Sequence, residues 1–235
     1  MNNTKTELVF ILDRSGSMSG YETDTVGGFN ATLKRHREEG GADVYVTTVL
    51  FNNAHSMLYD RVPIADVPPM QERDFWVGGG TALLDAIGDT VTHIAGIHRY
   101  ARPEDVPAHT VFVINTDGME NASHRYTADA VRAMIEEKTR ECGWEFIFLA
   151  ANIDAVETAE GLGIRRECAA NFRQTHEGFY GCYEAVSDAL FCIDCAGMEP
   201  IPIADLLSEE EETRSGARRR MEELRRKRKE CKEEK

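Results

Sequence analysis

Several things are scarce in this 235-residue chain, and each scarcity removes a class of function. Long apolar runs are missing, all of them well short of the roughly 20 residues that a membrane-spanning helix needs. The first residues, Met-Asn-Asn-Thr-Lys-Thr-Glu, form no apolar leader and run straight into a strand-like segment, which predicts a cytoplasmic location and no membrane partner. Basic residues are in deficit, 27 Lys or Arg against 41 Asp or Glu, for a net charge of −14. So acidic a chain is a poor ligand for nucleic acid, and none is expected as a partner. The six cysteines, Cys142, Cys168, Cys182, Cys192, Cys195 and Cys231, are scattered and give no disulfide framework. Cys192 and Cys195 make a lone C-x-x-C, half of a zinc site at most, and are read as free thiols.

Motifs of common enzymes are missing as well. There is no G-x-x-x-x-G-K-[ST] loop, which removes P-loop nucleotide hydrolysis, and no G-x-S-x-G elbow. His93 and His98 are five apart and cannot form the i, i+4 pair of a zincin. His124 is the one histidine placed close enough to the loops described below to be watched as a base.

What is present is an alternation of strand and helix patterns, which predicts a doubly wound α/β fold with a mostly parallel sheet covered on both faces. Leu8-Val9-Phe10-Ile11-Leu12 is a buried strand, and Asp43–Phe51 is a second, β-branched one. Asn52-Asn53 then turns the chain into a short returning strand at Ser56–Tyr59, expected to be antiparallel at the sheet edge. Further strands are read at Val111–Ile114, in "WEFIFLAAN" from Trp144, and at Cys168–Ala170. Helices are read at Asp24–Arg37, Thr81–Tyr100, Thr127–Cys142 and Glu177–Phe191. Residues 1–199 are taken as the folded domain and 200–235 as a linker and charged tail. From Ser208 onward eleven Lys or Arg face nine Asp or Glu, so the body carries the whole negative excess. Apolar residues are sparse there, which predicts a solvated, partly helical or disordered segment with little to anchor it.

Three loops then share one chemistry. The first strand ends in Asp13-Arg14-Ser15-Gly16-Ser17, Gly78-Gly79-Gly80-Thr81 precedes a helix, and the Val111 strand ends in Asn115-Thr116-Asp117-Gly118. In open α/β sheets ligands bind beyond the carboxyl ends of strands where the winding reverses. If the Leu8 and Val111 strands are neighbours there, Asp13 and Asp117 face each other. Two carboxylates with three hydroxyls are hard oxygen donors, suited to Mg²⁺ or Mn²⁺ and poor for zinc. Gly16 allows the turn that aims both serines inward, and the glycine run lets backbone approach closely.

Asp13-x-Ser15-x-Ser17, the Gly-Gly-Thr ending on Thr81, and Thr-Asp-Gly at Asp117 resemble the metal-ion-dependent adhesion site of von Willebrand factor type A domains, over about Thr6 to Cys195. The resemblance implies that Ser15, Ser17 and Thr81 supply hydroxyl oxygens to one Mg²⁺ or Mn²⁺ per chain. Asp13 and Asp117 would act mainly through bound water, and a partner protein's Glu or Asp would fill an open position. It further implies a non-catalytic binding module of the stand-alone bacterial, intracellular kind, a regulatory or assembly factor beside an ATPase or stress-response component. Glu120 and Asn121 are read as water-orienting or loop-shaping, Asp85 as a first-turn helix residue, and Asn52 and Asn152 as candidates to line the cleft. Arg14 is expected to point outward. The competing reading is a Mg²⁺-dependent hydrolase of phosphate esters. A haloacid-dehalogenase phosphatase would need a second Asp where this chain has Ser15.

Overall fold

A computed structural model describes residues 5–39, 43–193 and 201–233. Six strands form one sheet: β1 (Thr6–Asp13), β2 (Val44–Phe51), β3 (His55–Pro63), β4 (His109–Thr116), β5 (Glu145–Ala150) and β6 (Ala169–Asn171). Their spatial order is β3-β2-β1-β4-β5-β6. All pairings are parallel except β2 with β3, so the returning strand is the antiparallel edge, as expected. Seven α-helices complete the described residues: α1 (Glu22–Glu39), α2 (Leu83–Tyr100), α3 (Ala128–Cys142), α4 (Ala155–Gly161), α5 (His176–Ile193), α6 (Ile203–Leu206) and α7 (Glu211–Glu233). This is the doubly wound α/β architecture that the alternating pattern predicts.

Local chemistry sets the element ends. Thr127 caps α3 by accepting from Ala130 N, and the helix stops at Gly143, whose φ of 66° is the left-handed conformation of a C-terminal stop. Asp154 caps α4 through Glu157 N. Side chains on β1 alternate between two cores, because successive strand residues point to opposite faces. Leu8, Phe10 and Leu12 pack on the side of α1 and α5, while Val9 and Ile11 pack on the side of α2 and α3. Every β1 residue is buried.

Winding runs outward from β1 through β2 to β3, then returns across β1 to β4, β5 and β6. The reversal therefore lies between β1 and β4, whose register pairs Leu12 with Asn115. Asp13 and Thr116 come next on their strands, and the site hangs on this placement.

The C-terminal segment corrects the expectation that nothing there anchors to a core. Ile201, Ile203 and Leu206 are buried, and so are Ala217 and Met221 on one face of α7. Met221 Sδ lies 3.4 Å from Cys192 Sγ. Arg225 reaches Asp188 at 2.7 Å, and Asp188 also holds Arg35 at 3.1 Å, so the helix is tied to α5 and α1 together. Leu224 packs against the same core, and a stripe of three apolar residues in so charged a helix is enough, because the long stems of neighbouring arginines add to the cover. Cys195, the second half of the C-x-x-C, lies outside the described residues. Met221→Ala is expected to lower stability by about 2 kcal/mol or more in urea denaturation. A change within error would show that the helix does not contribute to the core.

Candidate metal centre

The first loop is organised by Asp13, the last residue of β1 and 1% exposed. One carboxylate oxygen accepts from Ser15 N at 2.7 Å, and the other accepts from Thr116 Oγ1 at 2.6 Å. The chain then enters a 3₁₀ turn at Gly16–Met18. That turn brings Ser15 Oγ and Ser17 Oγ to 3.1 Å from one another. Ser17 Oγ donates to Asp117 Oδ1 at 2.7 Å, joining the first loop to the third.

The glycine loop closes the other side. Gly16 N donates to Gly79 O at 3.0 Å and Gly78 N to Arg14 O at 3.0 Å, so the two loops run against each other through backbone alone. Gly79 has φ of 82°, and a Cβ there would come within 2.8 Å of the Asn53 side chain, which itself accepts from Gly80 N. Thr81 is buried, and its N–H donates to Asn121 Oδ1 at 2.9 Å. A Cβ on Gly118 would sit 3.2 Å from Thr81 Oγ1 and 3.4 Å from Ser17 Oγ. The third hydroxyl therefore borders the same space as the other two. All five residues, Asp13, Ser15, Ser17, Thr81 and Asp117, meet at one point beyond the carboxyl ends of β1 and β4.

Other residues hold this cluster without joining it. Gln174, on the loop before α5, donates to Asp117 Oδ2 at 2.7 Å and to Ser17 O at 3.0 Å. Its own oxygen accepts from Asn152 Nδ2 at 2.5 Å. Asn152 thus lies at the cleft, as does Asn52, which donates to Gly78 O at 2.8 Å. Glu120 accepts from Leu84 N, Ala122 N, Ser123 N and Ser123 Oγ, so it and Asn121 shape the loop. Asp85 sits in the first turn of α2 and accepts from His124 N, Arg125 N and Tyr126 N at 2.9 Å each. Burial opposes its charge, but the three backbone donors prevail and hold its carboxyl below the usual range. His124 thus contributes its backbone N–H to the loop. Arg14 does not point outward: it is 7% exposed, stacks 4.3 Å beneath the Trp76 ring and donates to Ser56 Oγ at 3.1 Å. Its buried neighbours on β1 and the tryptophan offer its long stem more contact than water would. Gln174 carried no sequence signal, being an amide in a loop far along the chain from the residues it holds, and Asn53 was legible only as a turn residue.

Electrostatically the cluster is a concentration of negative charge. Burial, partly offset by hydrogen bonds from Thr116 and Ser15, lifts Asp13 to about 6, and the Asp117 carboxylate adds to the rise. Asp117 is raised too, again by burial first. Neither carboxylate forms an ion pair with a side chain among the described residues, where no group of three His, Cys, Asp or Glu side chains forms a metal site either. The donor set instead relies on hydroxyls. Its fit to Mg²⁺ can be tested by distance: bonds of about 2.0–2.1 Å in an octahedron put neighbouring oxygens about 3 Å apart. The Ser15–Ser17 separation of 3.1 Å meets that requirement.

The sequence matches no protein-family model and no curated protein. The architecture is similar to that of several solved structures. The von Willebrand factor domain of the type V pili tip protein Mfa5 from Porphyromonas gingivalis superposes with TM-score 0.61 at 10% identity, covering 85% of this chain and 99% of that one. The fold is that of a von Willebrand factor type A domain. A second type A structure, the ArnB paralog VWA2 from Sulfolobus acidocaldarius, gives TM-score 0.51 at 13% identity over 80% of this chain and 45% of that one. The pilus adhesin SpaC from Lactobacillus rhamnosus GG, in its open conformation, gives 0.62 at 12% identity over 82% of this chain. The chain spans only 31% of SpaC, and 45% of a proximal thread matrix protein from the mussel byssus that it also matches. No helix among the described residues is long and apolar enough to cross a membrane.

Burial of Asp13 sets a sign for pH. A carboxyl raised from 3.8 to about 6 on folding binds its proton more tightly in the folded chain. In EDTA, stability therefore falls as pH rises from about 4 to about 6, by on the order of 2 kcal/mol for this group. A Mg²⁺ ion held beside Asp13 would compete with the same proton, so a rise in Tm on adding it is expected to be small at pH 4.5 and full at pH 7.5. An equal Mg²⁺-induced rise at both values would show that Asp13 is not coupled to the ion.

Proposed function

We propose that this chain is a non-catalytic protein-interaction module in which Ser15, Ser17 and Thr81, backed by Asp13 and Asp117, hold one Mg²⁺ or Mn²⁺. The acidic side chain of a partner protein would be bound there. A divalent cation bound there supplies positive charge and Lewis acidity toward a carboxylate oxygen. The chain's own residues do the rest. Three hydroxyls leave more charge on the ion than three carboxylates would, and Ser17, the exposed donor, marks the open side. Asp13 and Asp117, fixed by Thr116, Ser15, Ser17 and Gln174, hold the donors in position and keep the water shell ordered. A partner's Glu or Asp would then complete the coordination through a charge-assisted contact.

The observation that carries this reading is the meeting of three hydroxyls and two desolvated, cation-free carboxylates at the β1/β4 switch point. Both oxygens of Asp13 already accept hydrogen bonds and the residue is buried, which suits a positioning role and leaves no lone nucleophile for phosphate transfer. The structural relatives support the choice in kind: Mfa5 is a pili tip protein and SpaC a pilus adhesin. An intracellular regulatory or assembly role, with an ATPase or stress-response component as partner, is the narrower form of the same proposal.

Calorimetric titration of Mg²⁺ and Mn²⁺ into the EDTA-treated chain tests it. One ion is expected to bind, with affinity at least about tenfold weaker, or more than about 1.4 kcal/mol, in Ser17→Ala. Ser17 is exposed, so that variant keeps its fold. Equal affinity in wild type and variant contradicts the assignment.

A further inference from the structure

Five large apolar side chains stand out from the described surface: Met57, Trp76, Tyr100, Met119 and Tyr180, from 39% to 84% exposed. Two of them lie on the loops that carry the candidate metal donors. Trp76 is two residues before the glycine run, and Met119 is two residues after Asp117. Both loops border the hydroxyl cluster, and they meet each other where Thr81 N donates to Asn121 Oδ1. Gly78 and Gly79 run against Arg14 and Gly16, while Gly118 fills the space between Thr81 Oγ1 and Ser17 Oγ.

Trp76 is not simply loose on the surface. Its ring is 57% exposed, yet one face is taken by the Arg14 guanidinium at 4.3 Å. Arg14 is itself held by Ser56 and is 7% exposed. A tryptophan fixed on one face and open on the other is a pre-organised stacking platform, since little side-chain entropy remains to be lost on binding. Met119, 72% exposed, offers an adaptable apolar contact on the loop that follows Asp117. Arg14 Nε has no hydrogen-bond partner, and its guanidinium pairs with no carboxylate among the described residues. The guanidinium is thus committed to the ring and to Ser56, which keeps Trp76 in one orientation.

We infer that Trp76 and Met119 are the apolar shoulders of the metal centre, and that they select a protein segment whose acidic side chain is directly neighboured by an aromatic or branched aliphatic one. The inference rests on the metal-centre reading: the acid goes to the ion, and its apolar neighbour stacks on the open face of Trp76. Trp76 contributes contact area and Arg14 holds it in place, so the pair sets which acidic segments bind, while the donors set whether any do.

The test is selection of a random displayed-peptide library on the immobilised full chain, in Mg²⁺ and in EDTA, with wild type, Trp76→Ala and Ser17→Ala. Wild type in Mg²⁺ is expected to enrich peptides with Asp or Glu beside Phe, Tyr, Trp, Leu or Ile. Trp76→Ala keeps the acid and loses the apolar neighbour. Binding of a selected synthetic peptide changes the fluorescence of Trp76, the exposed one of two tryptophans, Trp144 being 4% exposed. Mg²⁺-dependent enrichment of acid with no apolar neighbour, or an apolar preference unchanged in Trp76→Ala, overturns the inference and leaves the metal centre standing. No Mg²⁺-dependent enrichment of acid, or enrichment undiminished in Ser17→Ala, overturns the metal-centre reading and the inference with it.

Discussion

The hydrogen bond from Thr116 Oγ1 to Asp13 Oδ2, 2.6 Å long and buried, ties the end of β1 to the end of β4. Everything distinctive about this surface follows from it. The two strands are neighbours because the winding of the sheet reverses between them. The reversal leaves a gap that no crossing helix covers, and side chains at the two strand ends must satisfy one another. Asp13 does so with Thr116 and Ser15, which fixes where the following turn begins. That turn places Ser17 against Asp117.

The two ends of β1 solve the same problem in opposite ways. Glu7, near the amino end, is fully buried and is met by the Arg61 guanidinium at 2.7 Å and by His98 at 3.4 Å. Its charge is matched within the chain. Asp13, at the carboxyl end, and Asp117 beside it receive hydroxyl and amide donors but no cationic side chain among the described residues. A buried carboxylate without an opposite charge is costly. The surrounding frame of Gln174, Asn53, Asn121 and Glu120 spends neutral or backbone-directed hydrogen bonds on keeping the loops in place. Such a frame holds the Ser15 and Ser17 hydroxyls 3.1 Å apart before any ligand arrives, and a pre-ordered site lowers the ordering cost of binding.

Much of this was legible from residue order. Five consecutive apolar residues ending on Asp13 identify a covered strand, and the Asn52-Asn53 turn signals the antiparallel edge that β3 forms. The hydroxyl and carboxylate donors are also visible, because each follows a strand or precedes a helix at a fixed offset. What the order of residues hides is the support. Thr116 reads as one more strand residue, and Gln174 as loop, until β4 and the start of α5 are placed beside Asp13 and Asp117. Arg14 reads as solvent-facing because its partner Trp76 lies far along the chain, just before the glycine run. The seat of α7 was hidden for a different reason. Ala217, Met221 and Leu224 are three residues among many charges, and only the core face they land on, with Asp188 waiting for Arg225, makes them an anchor.

The central claim is that one divalent cation lies among Ser15, Ser17 and Thr81 at this switch point. Crystals grown with Mn²⁺ test it most directly, through the anomalous signal of the ion. The account predicts a single strong peak within about 2.2 Å of the oxygens of Ser15 and Ser17, the range of octahedral Mn²⁺ or Mg²⁺ bonds. A peak bound elsewhere on the chain, or none at saturating Mn²⁺, would contradict it.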